Sequence, residues 1–183
     1  MSDEVKRHQE TLRGGSRQKD QPGRSPRREA TDDDNDEDSC AAFGYLRGIR
    51  ERADALEVRF RNGNSTWFPY HWLGSWKFNP SEGLMLKFSG DLVYLILIRG
   101  TNLDRPLSDS NTNLTRSGLQ RHRIVWMREM TDEEIRRVGQ SGPTIESIQV
   151  LEFESNDALI KWLKANAPAF LPTLDSSEGA SGA

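Results

Sequence analysis

The sequence has few cysteines and few histidines, and it lacks long apolar runs. The chain has 183 residues and a single cysteine, Cys40, so an internal disulfide is excluded. The longest uninterrupted apolar run, Leu92 to Ile98, has seven residues, whereas a membrane-spanning helix needs about 20. The first residues carry no apolar core of the kind found in a secretory signal peptide. We therefore expect a cytoplasmic protein that does not enter a membrane.

Motifs for catalysis or metal binding are also missing from the sequence. The histidines are His8, His71 and His122, and their spacing matches no metal site. No glycine-rich phosphate loop, nucleophile elbow or pair of catalytic carboxylates occurs. Cys40 lies two residues after an acidic run, which should raise the pKa of its thiol and make it a poor nucleophile. We expect no catalytic residue, metal or cofactor, with an enzyme of unrecognised class as an alternative.

Apolar residues are scarce mainly at the two ends of the chain. Hydrophobic residues make up 34% of the sequence, against about half in globular proteins. Residues 1–39 contain only Met1, Val5, Leu12 and Ala30 of the apolar types. Such segments cannot bury enough surface to offset the entropy of ordering. We expect disordered tails over residues 1–40 and 171–183, and one domain over residues 41–170.

Charge follows the same division. Six of the seven residues 32–38 are acidic, and the formal net charge of the chain is −3. Residues 40–170 hold seventeen basic and fifteen acidic residues, a difference of +2. The domain is therefore close to neutral, which does not favour nucleic-acid binding as a strongly basic domain would.

The stretch from Leu56 to Ile98 predicts several antiparallel strands. Short apolar runs with period-two alternation are separated by turn sequences such as Asn62-Gly63. A three-residue loop ending at Asn64 would pair Val58 with Phe68 and Leu56 with Tyr70, burying both aromatic residues and leaving Trp67 partly exposed. Pro69 lacks an amide donor, so this strand should lie at a sheet edge. The run Leu92 to Ile98 is typical of a central strand covered on both faces.

The second half of the chain adds a long connection, two more strands and two helices. Residues 101–120 show no periodic pattern, and connections of this length are either functional or disordered. Strands are predicted over 121–127 and 145–153, and helices after Thr131 and after Ser155. The predicted fold class is mainly β (α+β): a small antiparallel meander or partly closed barrel with a C-terminal amphipathic helix.

Aromatic residues favour a protein-interaction or assembly module as the function. Five tryptophans are more than a small core usually holds, and an excess of aromatics often marks an interface. The predicted interface residues are Trp67, Tyr70 and Trp72, on an edge strand that could pair with a partner strand or with a second copy of the chain.

Binding of single-stranded nucleic acid, such as RNA, is the alternative function. It would combine an aromatic platform with phosphate-binding charge. The predicted basic patch consists of Arg116, Arg121, His122, Arg123 and Arg128. The competing structural interpretation is that Arg121 and Arg123 are the solvent-facing residues of an amphipathic strand over residues 121–127.

Overall fold

A computed structural model of the chain describes residues 37–48 and 50–171. The strands are β1 (Glu37–Ser39), β2 (Phe43–Leu46), β3 (Ala55–Arg59), β4 (Ser65–Pro69), β5 (Leu73–Asn79), β6 (Gly83–Ser89), β7 (Val93–Thr101), β8 (Ile124–Arg128) and β9 (Thr144–Phe153). The α-helices are α1 (Asp132–Val138) and α2 (Asn156–Asn166). Short 3-10 or π turns cover Tyr70–Trp72, Leu114–Gly118, Leu119–Arg121 and Pro168–Phe170.

These strands form two open sheets. Sheet A has the order β1-β2-β8-β3-β4, and sheet B has the order β5-β6-β7-β9. All neighbouring strands are antiparallel except β3 and β8, which run parallel. The prediction of a mainly β fold with a C-terminal helix is confirmed. The predicted continuous meander holds for β5, β6 and β7, whereas the chain passes to the other sheet after β4, and the sheets do not close into a barrel.

The predicted pairing of β3 with β4 is wrong by two residues. Leu56 faces Phe68 and Val58 faces Thr66. The hairpin loop is residues 61–63: the Phe60 amide donates to the Asn64 carbonyl at 2.8 Å, and Gly63 at its end has a φ of 86°. A glycine with positive φ at the end of a three-residue loop is a common hairpin geometry. Because the shift is even, the predicted inward and outward faces remain correct.

The core lies between the two sheets, and a helix covers the far side of sheet B. Leu56, Phe68 and Phe43 of sheet A pack against Leu86 and Ile96 of sheet B in one buried cluster. On the opposite face of sheet B, a second cluster is built from the following residues: Met85, Val93, Leu95, Leu159, Leu163 and Phe170. Strand β7 is therefore covered on both faces, as its continuous apolar sequence predicts.

The segment from residue 101 to residue 120 is ordered and contributes to the core. Leu103, Leu114 and Leu119 are each at most 1% exposed. The Asn113 side chain accepts a hydrogen bond from the Ser117 amide at 3.0 Å and caps the π turn. The segment is therefore a folded connection that contributes three leucines to the core, and not a structureless loop.

Both predicted helices begin at their predicted caps. Thr131 and Glu134 form a reciprocal capping box at α1, which satisfies two otherwise unpaired amide groups. The Ser155 hydroxyl accepts from the Ala158 amide at 3.2 Å at the start of α2. Helix α2 is the C-terminal amphipathic helix of the prediction.

The predicted tails lie outside the described residues except at their inner ends. Residues 37–40 fall within the predicted N-terminal tail, yet Glu37–Ser39 form β1 and pair with β2. Asp38 joins this edge to the sheet through a 3.1 Å ion pair with Arg47 and a 3.0 Å hydrogen bond from the Tyr45 hydroxyl. The last part of the acidic run is thus a strand of sheet A.

Candidate functional site

Strand β4 is an edge strand of sheet A, as Pro69 predicts. The Phe60 amide donates to the Asn64 carbonyl, and the Tyr70 amide donates to the Asp54 carbonyl. These bonds show that the even-numbered residues of β4 direct their backbone groups toward β3. The backbone N–H and C=O groups of Ser65 and Trp67 therefore point away from the sheet. At Pro69 only the carbonyl is directed outward, since proline has no N–H.

The side chains of β4 make this edge unusual. Its sequence, Ser-Thr-Trp-Phe-Pro, contains no charged residue. Trp67 is 60% exposed, the most exposed large hydrophobic side chain of the described residues. Edge strands are commonly protected by charged residues that discourage pairing with other chains. Strand β4 has Pro69 at its end as its one protective feature.

The other sheet edges of the described chain each carry a feature that disfavours pairing with another strand. Strand β1 carries Glu37 and Asp38. Strand β9 is covered at its start, where Ile148 donates its amide to a Glu129 carboxylate oxygen at 2.8 Å and Ile145 accepts from the Met130 amide at 2.8 Å. Strand β5 has an irregular ladder between residues 73 and 76. Strand β4 is thus the edge best suited to receive another strand.

Next to β4, the outer face of sheet A holds a fixed group of side chains that the sequence analysis missed. The Arg59 guanidinium lies 4.5 Å from the centre of the Trp126 ring and forms a 2.6 Å ion pair with Glu57. This interaction with Arg59 lowers the pKa of Glu57. The Trp126 indole N–H donates to Glu37 at 2.8 Å. Glu57 is the direct neighbour of both Trp126 and Trp67, so Trp67 stands beside a charge that is already paired.

The three predicted interface aromatics do not form one surface. Tyr70 is 3% exposed, and its hydroxyl donates to the Ile124 carbonyl at 2.8 Å. Burial raises the pKa of the Tyr70 hydroxyl. The same burial corrects the prediction that Tyr70 is an interface residue. Trp72 is half-buried, and its ring lies close to Gly90 in the turn between β6 and β7. Of the three residues, Trp67 alone is largely exposed.

Two members of the predicted basic patch have structural roles. Arg123 is 7% exposed, and its guanidinium donates to the Leu46 carbonyl at 2.8 Å and to the Arg47 carbonyl at 2.9 Å. Arg128 forms a 2.7 Å ion pair with Glu134. Arg123 therefore lacks the exposure that a phosphate-binding residue needs, which corrects its assignment, whereas the Arg128 side chain is 32% exposed and its assignment stays a prediction.

The remaining members of the predicted patch are Arg116, Arg121 and His122. Arg116 and Arg121 are exposed, and Arg116 lines a cavity of about 460 Å³ together with Asp104. His122 lines a different cavity and stacks on Tyr70 with ring centres 4.6 Å apart. Burial, with a smaller effect of Arg52, lowers the pKa of His122 and favours its neutral form. Arg116 and His122 therefore face different cavities.

Other kinds of site find little support in the described part of the chain. Within it, no group of three or more His, Cys, Asp or Glu side chains is placed to hold a metal ion. The pKa of Cys40 is raised as predicted, but the main cause is burial and not the neighbouring carboxylates. Among the described helices, none has the length and apolar character needed to span a membrane.

Comparisons of the chain with protein-family models, curated proteins and solved structures found no match. The candidate site therefore depends on the geometry of sheet A alone.

Proposed function

We propose that this domain is a protein-interaction module that binds an extended segment of a partner by adding it as a strand beside β4. The observation that carries the proposal is the exposed Trp67 on an uncharged edge strand. Main-chain hydrogen bonds would supply affinity, and contacts with the tryptophan would supply specificity, as in other cases of strand addition. Tryptophan is also one of the residue types enriched among those that dominate binding energy.

The structure of the edge indicates the chemistry of the partner segment. Ser65 and Trp67 offer donors and acceptors, whereas Pro69 offers an acceptor only, so the site spans about five residues. The nearest charges on the outer face, Glu57 and Arg59, already pair with each other at 2.6 Å. The preferred partner is therefore an uncharged extended segment with an apolar side chain opposite Trp67.

Binding of single-stranded nucleic acid has less support from the geometry. Arg123 donates to backbone carbonyls, and Arg128 pairs with Glu134. The two exposed arginines of the predicted patch, Arg116 and Arg121, would have to bind phosphate without them.

Selection of random peptides displayed on phage against the full-length chain tests the proposal. We expect the selected peptides to bind the wild type and to lose at least about tenfold in affinity for Trp67→Lys. Ile160→Lys is the matched control, because Ile160 is 40% exposed and lies on α2. Peptides that bind Trp67→Lys as well as they bind the wild type, or a selection that yields no binding peptide, would refute the proposal.

A salt series with a fluorescent single-stranded RNA tests the alternative function. Binding that weakens steeply with salt, and that requires Arg116 and Arg121, would favour nucleic acid as the ligand. We expect no measurable binding at physiological salt.

A further inference from the structure

The geometry points to a second copy of this chain as a strand that β4 receives, giving a two-fold symmetric dimer in which two copies of sheet A join edge to edge. The inference rests on the proposed function, since it names the partner of the same edge. It is supported by the hydrogen-bonding pattern of β4, by its uncharged side chains and by the obstacles at the other edges.

The hydrogen bonds of β4 are self-complementary around Trp67. In an antiparallel pair centred on this residue, each Trp67 N–H donates to the Trp67 carbonyl of the other copy. Residue 65 then lies opposite residue 69, so each Ser65 N–H donates to the Pro69 carbonyl of the second copy. Proline lacks a donor, but this register uses its carbonyl. Each outward N–H group of Ser65 and Trp67 thus gains an acceptor.

The side chains also suit a two-fold axis at this position. Symmetry places identical residues opposite each other, so a charged residue at the axis would meet its own charge. At the axis of β4 the two Trp67 side chains meet, and aromatic cross-strand pairs are favourable. The flanking pairs join Ser65 to Pro69 and are neutral. Burial of the two indoles supplies the apolar contact that the exposed edge lacks in one copy.

Other edge pairings between copies are disfavoured. Two β1 strands would bring Glu37 and Asp38 of one copy against the same acids of the other. A pairing of β4 with β1 is not two-fold symmetric, and its repetition produces a ring or an open fibre instead of a two-fold dimer. Strand β9 has Ile145 and Ile148 already engaged at its start. Strand β5 carries Lys77 and an irregular ladder. Strand β4 is the one edge strand of the described chain without a charged residue, which favours the symmetric β4 pair.

Sedimentation equilibrium of the full-length chain from about 1 µM to about 500 µM tests the inference, because dimer population depends on protomer concentration. The expected mass rises from 20.8 kDa toward twice that value. Trp67→Lys should weaken dimerisation at least about tenfold, whereas Ile160→Lys should leave it unchanged. Ser65→Pro is a second variant, since it removes an outward amide and no backbone hydrogen bond to β3. Ser65→Ala is its control, because both variants lose the side-chain hydrogen bond to Glu57 and only Ser65→Pro loses the amide.

Amide exchange followed by NMR identifies the edge that pairs. Protection of the Ser65 and Trp67 amides should rise with protein concentration, because those groups are bonded only in the dimer. The Thr66 amide points toward β3 and should be protected at every concentration. Concentration-independent exchange at Trp67 in a dimeric sample would place the interface elsewhere and overturn the inference.

The outcomes separate this inference from the proposed function. A monomer at all concentrations that still binds selected peptides through Trp67 overturns the dimer and leaves the interaction module standing. A monomer that binds no peptide overturns both. A dimer unaffected by Trp67→Lys and Ser65→Pro, or a mass that grows beyond two copies, also overturns the symmetric β4 pair.

Discussion

Replacement of Arg123 by methionine tests most directly whether the basic residues of the second half of the chain are structural. Arg123 is 7% exposed and donates through Nε to the Leu46 carbonyl at 2.8 Å and through Nη2 to the Arg47 carbonyl at 2.9 Å. It thereby holds the end of β2 against the start of β8. Methionine keeps most of the length of the side chain and removes every donor.

The expected loss of stability follows from these hydrogen bonds. Each hydrogen bond from a charged donor contributes about 1.5–3 kcal/mol to stability. Part of this loss is offset in the variant, because a charged guanidinium no longer has to be removed from water on folding. Leu46 is half-buried and Arg47 is exposed, so water can reach the released carbonyls. We therefore expect a loss of about 2 kcal/mol in the free energy of unfolding. With a urea m-value of about 2 kcal/mol/M, the midpoint falls by about 1 M.

Arg121→Met is the matched control, because Arg121 is exposed and lies two residues away. Its free energy of unfolding should change by less than about 0.5 kcal/mol. Both variants are compared by urea denaturation followed by circular dichroism. Equal midpoints for the two variants would refute the structural role of Arg123, and a selective loss of RNA binding in Arg123→Met would return it to a phosphate-binding role.

Three further substitutions test the contacts around the site. Tyr70→Phe should cost about 1–2 kcal/mol in thermal or urea unfolding, since it leaves a buried carbonyl of β8 without its donor, and it should not alter peptide binding. Hydrogen bonds, chiefly from Arg128, lower the pKa of Glu134 to about 2. The stabilisation by its carboxylate is therefore complete above its usual pKa of 4.5 and is lost as the pH falls toward 2. Glu134→Gln should be about 1 kcal/mol less stable than the wild type at pH 7, and urea unfolding should show the difference closing below pH 4.5. Gly44→Ala places a Cβ 2.2 Å from the Trp126 indole nitrogen, and thermal unfolding should show a loss of about 1–3 kcal/mol; an unchanged melting temperature would contradict this contact.

The faces of the strands could be predicted from the sequence because side chains alternate in a strand. Leu56 and Val58 are buried, whereas Trp67 is exposed, as the period-two pattern indicates. The register was not predictable to the same degree. Two three-residue loops, over residues 61–63 and 62–64, bury the same face, and the choice between them depends on the positive φ of Gly63.

The division into two sheets was not visible in the sequence, since it depends on distant pairings. Strand β8 lies between β2 and β3, and Glu57 is paired with Trp126 in parallel. No local pattern distinguishes a strand that continues a meander from one that crosses to another sheet. The strand predicted over residues 121–127 begins only at Ile124. His122 adopts a left-handed conformation with φ of 53°, and Arg123 is buried just before the strand begins.

The candidate site was predicted in part. Trp67 and the edge position of β4 follow from alternation and from Pro69. Tyr70 was assigned to the interface even though the predicted face of its strand pointed inward. The Trp126 and Arg59 pair, with ring and guanidinium 4.5 Å apart, brings together residues that are far apart in the chain.

The parallel pairing of β3 with β8 has a consequence for biosynthesis. Sheet A needs contacts such as Phe43 with Met127 and Glu57 with Trp126, which join distant parts of the chain. It can therefore be completed only after most of the chain has been synthesised and has left the ribosome. The β5–β7 hairpins are local and can form earlier. Until β8 is available, the β3–β4 hairpin has no strand on either side, and unpaired edges of this kind favour aggregation.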